Sequence, residues 1–196
     1  MQRYPDEMPL DLALRRFFAD ARLGPDGGYG ERWVRVETKP VPVYFPNTRC
    51  RVEAAKLHDL HHVATGYATD WPGEAEIAAW ELAGGCGRHG WAWLLDLGAF
   101  TVGLALAPRR VWRAFVRGRR AANLYHSGLA PDALPLTSVG ALRSALRVSR
   151  LEPERAPGDA AAFALLATAG VIWHVGIAAA GLAAAWHLTH WLGLVR

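Results

Sequence analysis

Apolar positions recur at helical spacing along most of this 196-residue chain. In residues 9–20, for example, Leu10, Leu14 and Phe17 fall on one stripe of a helix. Four later segments are also predicted helices, bounded by capping residues or glycines: 48–65, 73–83, 90–107 and 139–148. The pattern predicts an all-α fold in the form of a compact helical bundle.

Two short segments interrupt the helical pattern. Residues 24–30 are rich in glycine and predict a turn. Residues 33–45 alternate in the manner of a strand, but Pro40 and Pro42 exclude a central strand, because proline cannot donate a ladder hydrogen bond. We therefore expect an extended arm that leads into the following helix.

The last part of the chain has the composition of a membrane segment. Residues 160–193 contain no Asp, Glu, Lys or Arg. A continuous helix of that length spans about 50 Å, whereas the hydrocarbon layer of a bilayer is about 30 Å thick. The segment must therefore tilt, break at Gly170, Gly176 or Gly181, or extend past the interface. We expect at least one transmembrane segment, inserted as a helix or as a hairpin.

These elements divide the chain into three regions. Residues 1–150 form the predicted helical metal-binding domain, residues 151–159 a linker, and residues 160–196 the hydrophobic membrane segment. Six arginines within residues 109–120 precede that segment, and by the positive-inside rule they place the domain on the cytoplasmic side of the membrane. The N-terminus lacks the basic and apolar regions of a secretion signal, which agrees with that side.

Composition and charge support membrane association. The chain is 52% hydrophobic with nine Trp, and its mean hydropathy of +0.04 is high for a soluble domain. The formal net charge is +4, carried by patches of arginine rather than by the interleaved lysines and aromatics of a nucleic-acid surface. We therefore expect an anionic lipid surface as a partner, and no nucleic acid.

Two segments have sequence patterns that fit more than one environment. In residues 108–120, arginines alternate with apolar residues such as Trp112 and Phe115, as in a helix lying on lipid headgroups, although a solvated basic face has the same pattern. Residues 90–107 are apolar apart from Asp96. A buried core helix is favoured there over a second membrane helix, whose length would be marginal.

The candidate chemistry is concentrated in residues 58–74, H-D-L-H-H-V-A-T-G-Y-A-T-D-W-P-G-E. His58 and His62 are four residues apart, so they lie one above the other on a helix and their imidazoles can reach one ion. A glycine and a proline then predict the end of this helix and the start of another, with Glu74 in the first turn.

This set of side chains is typical of a metal site. His58, Asp59, His62 and Glu74 supply two imidazoles and one or two carboxylates, which leave coordination positions open as in catalytic sites. Such a donor set accepts Zn²⁺ or Fe²⁺. The alternative is a histidine-rich helix face that is merely solvated.

Three neighbouring residues have weaker predicted roles. His61 is expected to support a ligand or to lie at the surface. Glu81 shares the face of Glu74 and could support a ligand through a hydrogen bond, although a solvated side chain is favoured. Cys86 could supply a thiolate ligand, but a small buried residue in a glycine turn is favoured.

The spacing H-D-x-x-H-x11-E at His58, Asp59, His62 and Glu74 resembles the metal signature of the Coq4 family of ubiquinone-biosynthesis proteins. The run H-V-A-T-G-Y-A-T-D and the pair Gly-Glu that opens the next helix are also similar to that family. The similarity extends over about residues 45–107.

The resemblance implies a bundle of the Coq4-like type in which these four residues hold a metal ion and serve catalysis. It implies metal-dependent oxidative decarboxylation and hydroxylation of a prenylated aromatic ring, in the biosynthesis of ubiquinone or a related quinone. The expected partners are a prenylated quinone precursor or other lipid, the membrane, other quinone-biosynthesis proteins and a further copy of the chain. The hydrophobic tail departs from the family, whose members attach peripherally.

Two other functions would use the same residues. H-x-x-H-H at residues 58–62 is similar to one histidine box of the di-iron membrane hydroxylases and desaturases, with His187 and His190 as a second cluster and His174 as a further participant. The other function is a non-catalytic lipid-binding scaffold for a quinone-biosynthesis complex, in which the metal only fixes two helices.

Overall fold

The computed structural model describes residues 4–36, 42–128, 137–148 and 154–192. These residues are mostly helical, as the sequence predicts, and include one two-stranded antiparallel sheet. In chain order the elements are α1 (Leu10–Ala21), β1 (Trp33–Val36), β2 (Val43–Pro46), α2 (Arg49–Thr65), α3 (Trp71–Gly84), α4 (Gly90–Leu106), α5 (Pro108–Gly118), a 3₁₀ turn (Leu124–His126), α6 (Val139–Leu146) and α7 (Asp159–Trp191).

Three helices begin at the polar residues that the sequence offers as caps. The side chain of Thr48 accepts a hydrogen bond from the backbone N–H of Arg51 at the start of α2. Asp70 does the same for Gly73 in α3, and Ser138 caps α6. Each cap satisfies a backbone donor that the first turn of a helix leaves unpaired.

The segment predicted as an extended arm is a β-hairpin. Trp33 pairs with Pro46, and Val36 pairs with Val43. Pro46 lies at the end of its strand, where a missing ladder donor costs little. Pro42 lies just before the strand, and Pro40 is outside the described residues.

Helix α3 lies at the centre of the domain. It packs closely along both α4 and α5, and its residues from Ile77 to Leu82 are all buried. Two glycines allow this close approach: a Cβ at Gly103 of α4 would lie 2.3 Å from the Cβ of Ala75, and one at Gly118 would lie 2.2 Å from the carbonyl oxygen of Trp80. The small residues therefore determine how near the three helices come to one another.

The apolar faces of α1 and α5 pack against protein. Phe17 and Phe18 of α1 are buried. In α5, Phe115 is buried and Trp112 packs on it, so these side chains do not lie at an acyl boundary. That part of the interfacial-helix hypothesis is wrong, although the arginine side of α5 remains exposed at Arg109.

Helix α7 is a single uninterrupted helix of 33 residues, long and apolar enough to cross a membrane. It does not break at Gly176 or Gly181, so the hairpin alternative is wrong for the part of the segment that the structure describes. Asp159, predicted as the end of the linker, belongs to its first turn and pairs with Arg120 of the preceding domain. Residues 151–153 of the predicted linker lie outside the described residues.

The base of α7 is attached to the domain by an aromatic cluster. The ring of Phe163 lies 5.0 Å from that of Trp112, 5.2 Å from Phe115 and 5.4 Å from Phe100. Beyond these contacts most residues of α7 are exposed.

The close contact at Gly103 gives a test of this packing. We expect Gly103→Ala to lower the free energy of unfolding by about 1–3 kcal/mol, because the added methyl group overlaps Ala75. Gly98→Ala on the same helix is the matched control, because a Cβ there meets no atom within 4 Å. It should raise stability by about 0.5–1 kcal/mol. Chemical denaturation of the full chain in a mild detergent measures both, and equal effects would contradict the packing described.

Candidate metal centre

Residues 58–74 form the end of α2, a close turn and the start of α3. Helix α2 ends at Gly66, whose φ of 76° is left-handed and suits glycine. Helix α3 begins at Trp71, five residues after Gly66, and a Cβ at Gly73 would lie 2.2 Å from the carbonyl oxygen of Ala68. Only a residue without a side chain permits this close turn, which sets Glu74 against α2.

Three of the four predicted ligands converge. The Nε2 atoms of His58 and His62 are 3.1 Å apart. The carboxylate of Glu74 lies 3.4 Å from Nε2 of His58 and 3.5 Å from Nε2 of His62. One ligand atom from each residue lies within 4.8 Å of the others, a separation that one metal ion can span.

The other ring nitrogen of each histidine has an acceptor. Nδ1 of His62 is 3.1 Å from the carbonyl oxygen of Tyr67 and must donate to it. Nδ1 of His58 lies 3.1 Å from both carboxylate oxygens of Glu81. When both rings are neutral, their Nε2 lone pairs face each other, and either a proton on one Nε2 or a metal ion between them relieves the repulsion. Orientation of metal-binding histidines through the second nitrogen is the usual support for such sites.

Glu81 is a fully buried centre of hydrogen bonds, so the favoured prediction of a solvated glutamate is wrong. Besides His58, it accepts hydrogen bonds from Nδ1 of His61 at 2.6 Å and from the hydroxyl of Tyr125 at 3.2 Å. Its position seven residues after Glu74, on the same helix face, was the only signal in the sequence. The residues that donate hydrogen bonds to Glu81 come from other elements.

His61 is fully buried and supports Glu81 rather than facing solvent. Its Nε2 accepts the backbone N–H of Leu124 at 2.9 Å, so Nδ1 carries the proton that it donates to Glu81. Both nitrogens are thus used within the protein. His61 is a positioning residue, one of the two roles that the sequence allows it.

Asp59 lies outside the converging group. It is buried, and its carboxylate accepts a hydrogen bond from the hydroxyl of Tyr29. Burial raises the pKa of Asp59, against the opposing effects of His58 and of the Tyr29 hydrogen bond. The structure therefore gathers His58, His62 and Glu74, and it directs the fourth predicted ligand toward the turn before β1.

A second buried group adjoins the first. Ligand atoms of His58, Glu81 and Asp96 lie within 4.8 Å of one another, and the thiol of Cys86 donates to Asp96 at 3.3 Å. Burial and the charge of Glu81 raise the pKa of Asp96 well above its usual value. Cys86 is buried and its pKa is raised by burial, as favoured for a small core residue.

The histidines of α7 do not join either group among the described residues. His174 lies one turn after Gly170 and hydrogen-bonds the carbonyl oxygen of that glycine at 2.8 Å. His187 and His190 are exposed and lie farther along α7. The geometry therefore does not favour a di-iron site built from several histidine boxes.

At the candidate centre, the imidazole of His58 lies between the carboxylates of Glu74 and Glu81. Burial lowers the pKa of His58, but the carboxylates of Glu81 and Glu74 more than offset this, and the net pKa lies well above its ordinary value. Burial acts to raise the pKa of Glu74, yet hydrogen bonds from His58 and His62 hold it well below its usual range. In the metal-free protein, His58 is therefore an imidazolium ion at neutral pH.

No family model matches this chain, and no curated protein or solved structure is similar to it by sequence or fold.

The proton on His58 predicts a pH dependence for metal uptake. Because an ion must replace this proton, binding to the metal-free protein at pH 7 should release about one proton per ion. Affinity should rise with pH as the medium approaches the raised pKa. Titration with a metal salt in a weakly buffered solution containing a pH indicator measures the release, and metal binding without proton release would contradict it.

The same proton has a stability consequence in the absence of metal. The folded pKa of His58 is raised, so its contribution to stability is fully present below about pH 6.5, the unfolded value. It is lost as the pH rises through the folded pKa. His58→Gln should remove this pH dependence, whereas Asp59→Asn should retain it.

Proposed function

We propose that this protein is a membrane-anchored metalloenzyme of the Coq4 type that acts on a prenylated aromatic ring in quinone biosynthesis. The observation that carries the proposal is the pair of Nε2 atoms of His58 and His62, 3.1 Å apart and facing the carboxylate of Glu74. The signature shared with Coq4 proteins supplies the class of substrate.

The residues present fit a divalent ion. Two imidazole nitrogens and one carboxylate form a donor set with open positions, which suits Fe²⁺ as a facial triad and Zn²⁺ as a catalytic site. The carboxylate of Glu81 orients His58, and the carbonyl of Tyr67 orients His62. His58 and Glu74 retain partial exposure at their side chains, 24% and 33%, so the centre is reachable from outside.

The proposed reaction replaces a ring carboxyl group by a hydroxyl group. The ring–carboxyl bond breaks, carbon dioxide leaves, dioxygen supplies the new hydroxyl oxygen, and an external two-electron donor reduces the second oxygen atom to water. When bound, the ion supplies Lewis-acid polarisation and orients the reacting oxygens. His58, His62 and Glu74 hold it, and Glu81 keeps the proton of His58 on Nδ1. Burial and the charge of Glu81 raise the pKa of Asp96, which favours its protonated form beside Glu81.

The anchoring rests on α7, the one helix of the described residues that is long and apolar enough to span a membrane. Arg119 and Arg120 pair with Asp159 in its first turn, which places positive charge at the domain end of the helix. By the positive-inside rule this supports a domain on the cytoplasmic side, where it meets lipid substrates at the bilayer.

The metal requirement is tested by elemental analysis of protein purified without added metal. We expect about one Zn²⁺ or Fe²⁺ ion per chain. The double variant His58→Ala, His62→Ala should carry none, and Asp59→Asn should keep its metal because Asp59 faces Tyr29. Wild-type protein without stoichiometric metal would end the proposal, and loss of metal in Asp59→Asn would return that residue to the ligand set.

Catalysis is separated from a purely structural metal by turnover. We expect detergent-solubilised protein with dioxygen and a reductant to convert a prenylated hydroxybenzoate to a product that has lost carbon dioxide and gained oxygen, as seen by mass spectrometry. Glu74→Ala should lower kcat/KM by about 100-fold or more, since several kcal/mol of Lewis-acid stabilisation is lost. The matched control is Glu76→Ala, which loses only an ion pair with Arg110.

The same experiment distinguishes an enzyme from a non-catalytic lipid-binding scaffold. If Glu74→Ala remains folded and binds lipid but does not turn over, the enzyme proposal stands. If wild-type protein holds metal and the prenylated ring without converting it, and Glu74→Ala unfolds, the protein is a lipid-binding scaffold.

A further inference from the structure

Exposed aromatic and aliphatic side chains cluster on the hairpin and on the first half of α4. Trp33 of β1 and Tyr44 of β2 are 56% and 57% exposed. Trp93, Leu94 and Leu95 of α4 are also exposed. Trp93 is two residues after Trp91 and therefore lies on the opposite side of α4. The other four side chains are called the aromatic face below. Single exposed apolar residues are ordinary, but a group of this size calls for a partner.

The two halves of the aromatic face are linked by one ring contact between the hairpin and α4. Phe45 follows Tyr44 and points to the other side of the hairpin, where its ring stacks on Trp91 at 5.4 Å. Trp91 lies one turn before Leu94 and Leu95 on α4. The hairpin therefore contacts the start of α4 through Phe45, and Trp33 and Tyr44 lie on its opposite side.

Helix α7 meets the domain next to this surface. A Cβ at Gly170 would lie 2.2 Å from the hydroxyl of Thr101 and 3.4 Å from Leu97, so the two helices touch there. Leu97 is three residues after Leu94 and shares its side of α4. The exposed leucine is thus one helical turn from the contact with α7.

The length of α7 beyond that contact matches a bilayer. The end of the helix at Trp191 lies 21 residues after Gly170. At about 1.5 Å per residue they span about 32 Å, close to the roughly 30 Å thickness of the hydrocarbon layer. If the residues from Gly170 to Trp191 span the hydrocarbon layer, the contact between α7 and α4 lies at the membrane surface.

We propose that the aromatic face is a second membrane contact, which seats the domain on the bilayer that α7 crosses. The inference rests on the anchoring proposed above. Trp and Tyr combine an apolar ring with a polar tip and are enriched where hydrocarbon meets headgroups. Arg35 pairs across the hairpin with Tyr44, so a cation lies at the same level as these rings, where anionic lipid attracts it.

This seating places the candidate centre close to lipid. Leu95 is exposed on α4, whereas its neighbour Asp96 is buried and lies beside Glu81 and His58. One helix thus contacts the bilayer with one side and the metal-binding network with the other. A prenylated substrate that leaves the membrane therefore has to cross only the width of α4 to reach the candidate centre.

The test is the depth of nitroxide labels on full-length protein in vesicles of phosphatidylcholine and phosphatidylglycerol. Single labels are placed at Tyr44→Cys and Leu94→Cys, in a Cys50→Ser background because Cys50 is exposed. Ala180→Cys on α7 reports the membrane span, and Ser144→Cys on α6, which packs against α2, reports a position away from the face. Collision with oxygen marks lipid, and collision with a water-soluble nickel chelate marks water.

We expect oxygen-to-nickel ratios at Tyr44 and Leu94 that lie between those of Ala180 and Ser144, as for groups at headgroup depth. Ratios equal to that of Ser144, with Ala180 in lipid, would overturn the seating and leave the anchor intact. Water-like ratios at all four positions would overturn the anchor as well. Dipolar broadening between Tyr44 labels of different copies, with water-like ratios, would show that a second copy covers the face and would also overturn the proposal.

Discussion

The buried carboxylate of Glu81 is the constraint on which the candidate centre depends. A carboxylate removed from water costs several kcal/mol unless donors surround it. Here the donors are Nδ1 of His58, Nδ1 of His61 and the hydroxyl of Tyr125. They come from α2 and from the 3₁₀ turn, whereas Glu81 is on α3. Satisfying one charge therefore fixes three parts of the chain and aims Nε2 of His58 at Glu74.

The sequence revealed those parts of the site that are local. The spacing of His58 and His62 predicts one helical face, and the glycine and proline signals correctly place Glu74 in the next helix. The rest of the site depends on distant contacts. The backbone N–H that sets the tautomer of His61 belongs to Leu124, 63 residues away, and no periodicity in the sequence identifies it. Asp59 shows the same limit, because its partner Tyr29 lies in an irregular turn.

The helices were predictable, but their surroundings were not. An amphipathic pattern states that one side of a helix avoids water and does not state whether protein or lipid covers that side. Thus Phe115 and Trp112 fitted an acyl boundary by sequence and pack instead against Phe163. A break at a glycine, one of the three alternatives for α7, does not occur, because glycine alone costs a helix only about 1 kcal/mol. A long apolar helix such as α7 tolerates this cost.

The close turn at Gly73 has a consequence for how the protein is made. The three converging residues lie within the seventeen positions from His58 to Glu74, and Glu81 follows seven positions later. Contacts this near in sequence form fast, because little loop-closure entropy opposes them. During synthesis the pair of helices α2 and α3 can therefore form before the anchoring helix α7 has been translated. Formation of this helix pair and membrane insertion are then successive events.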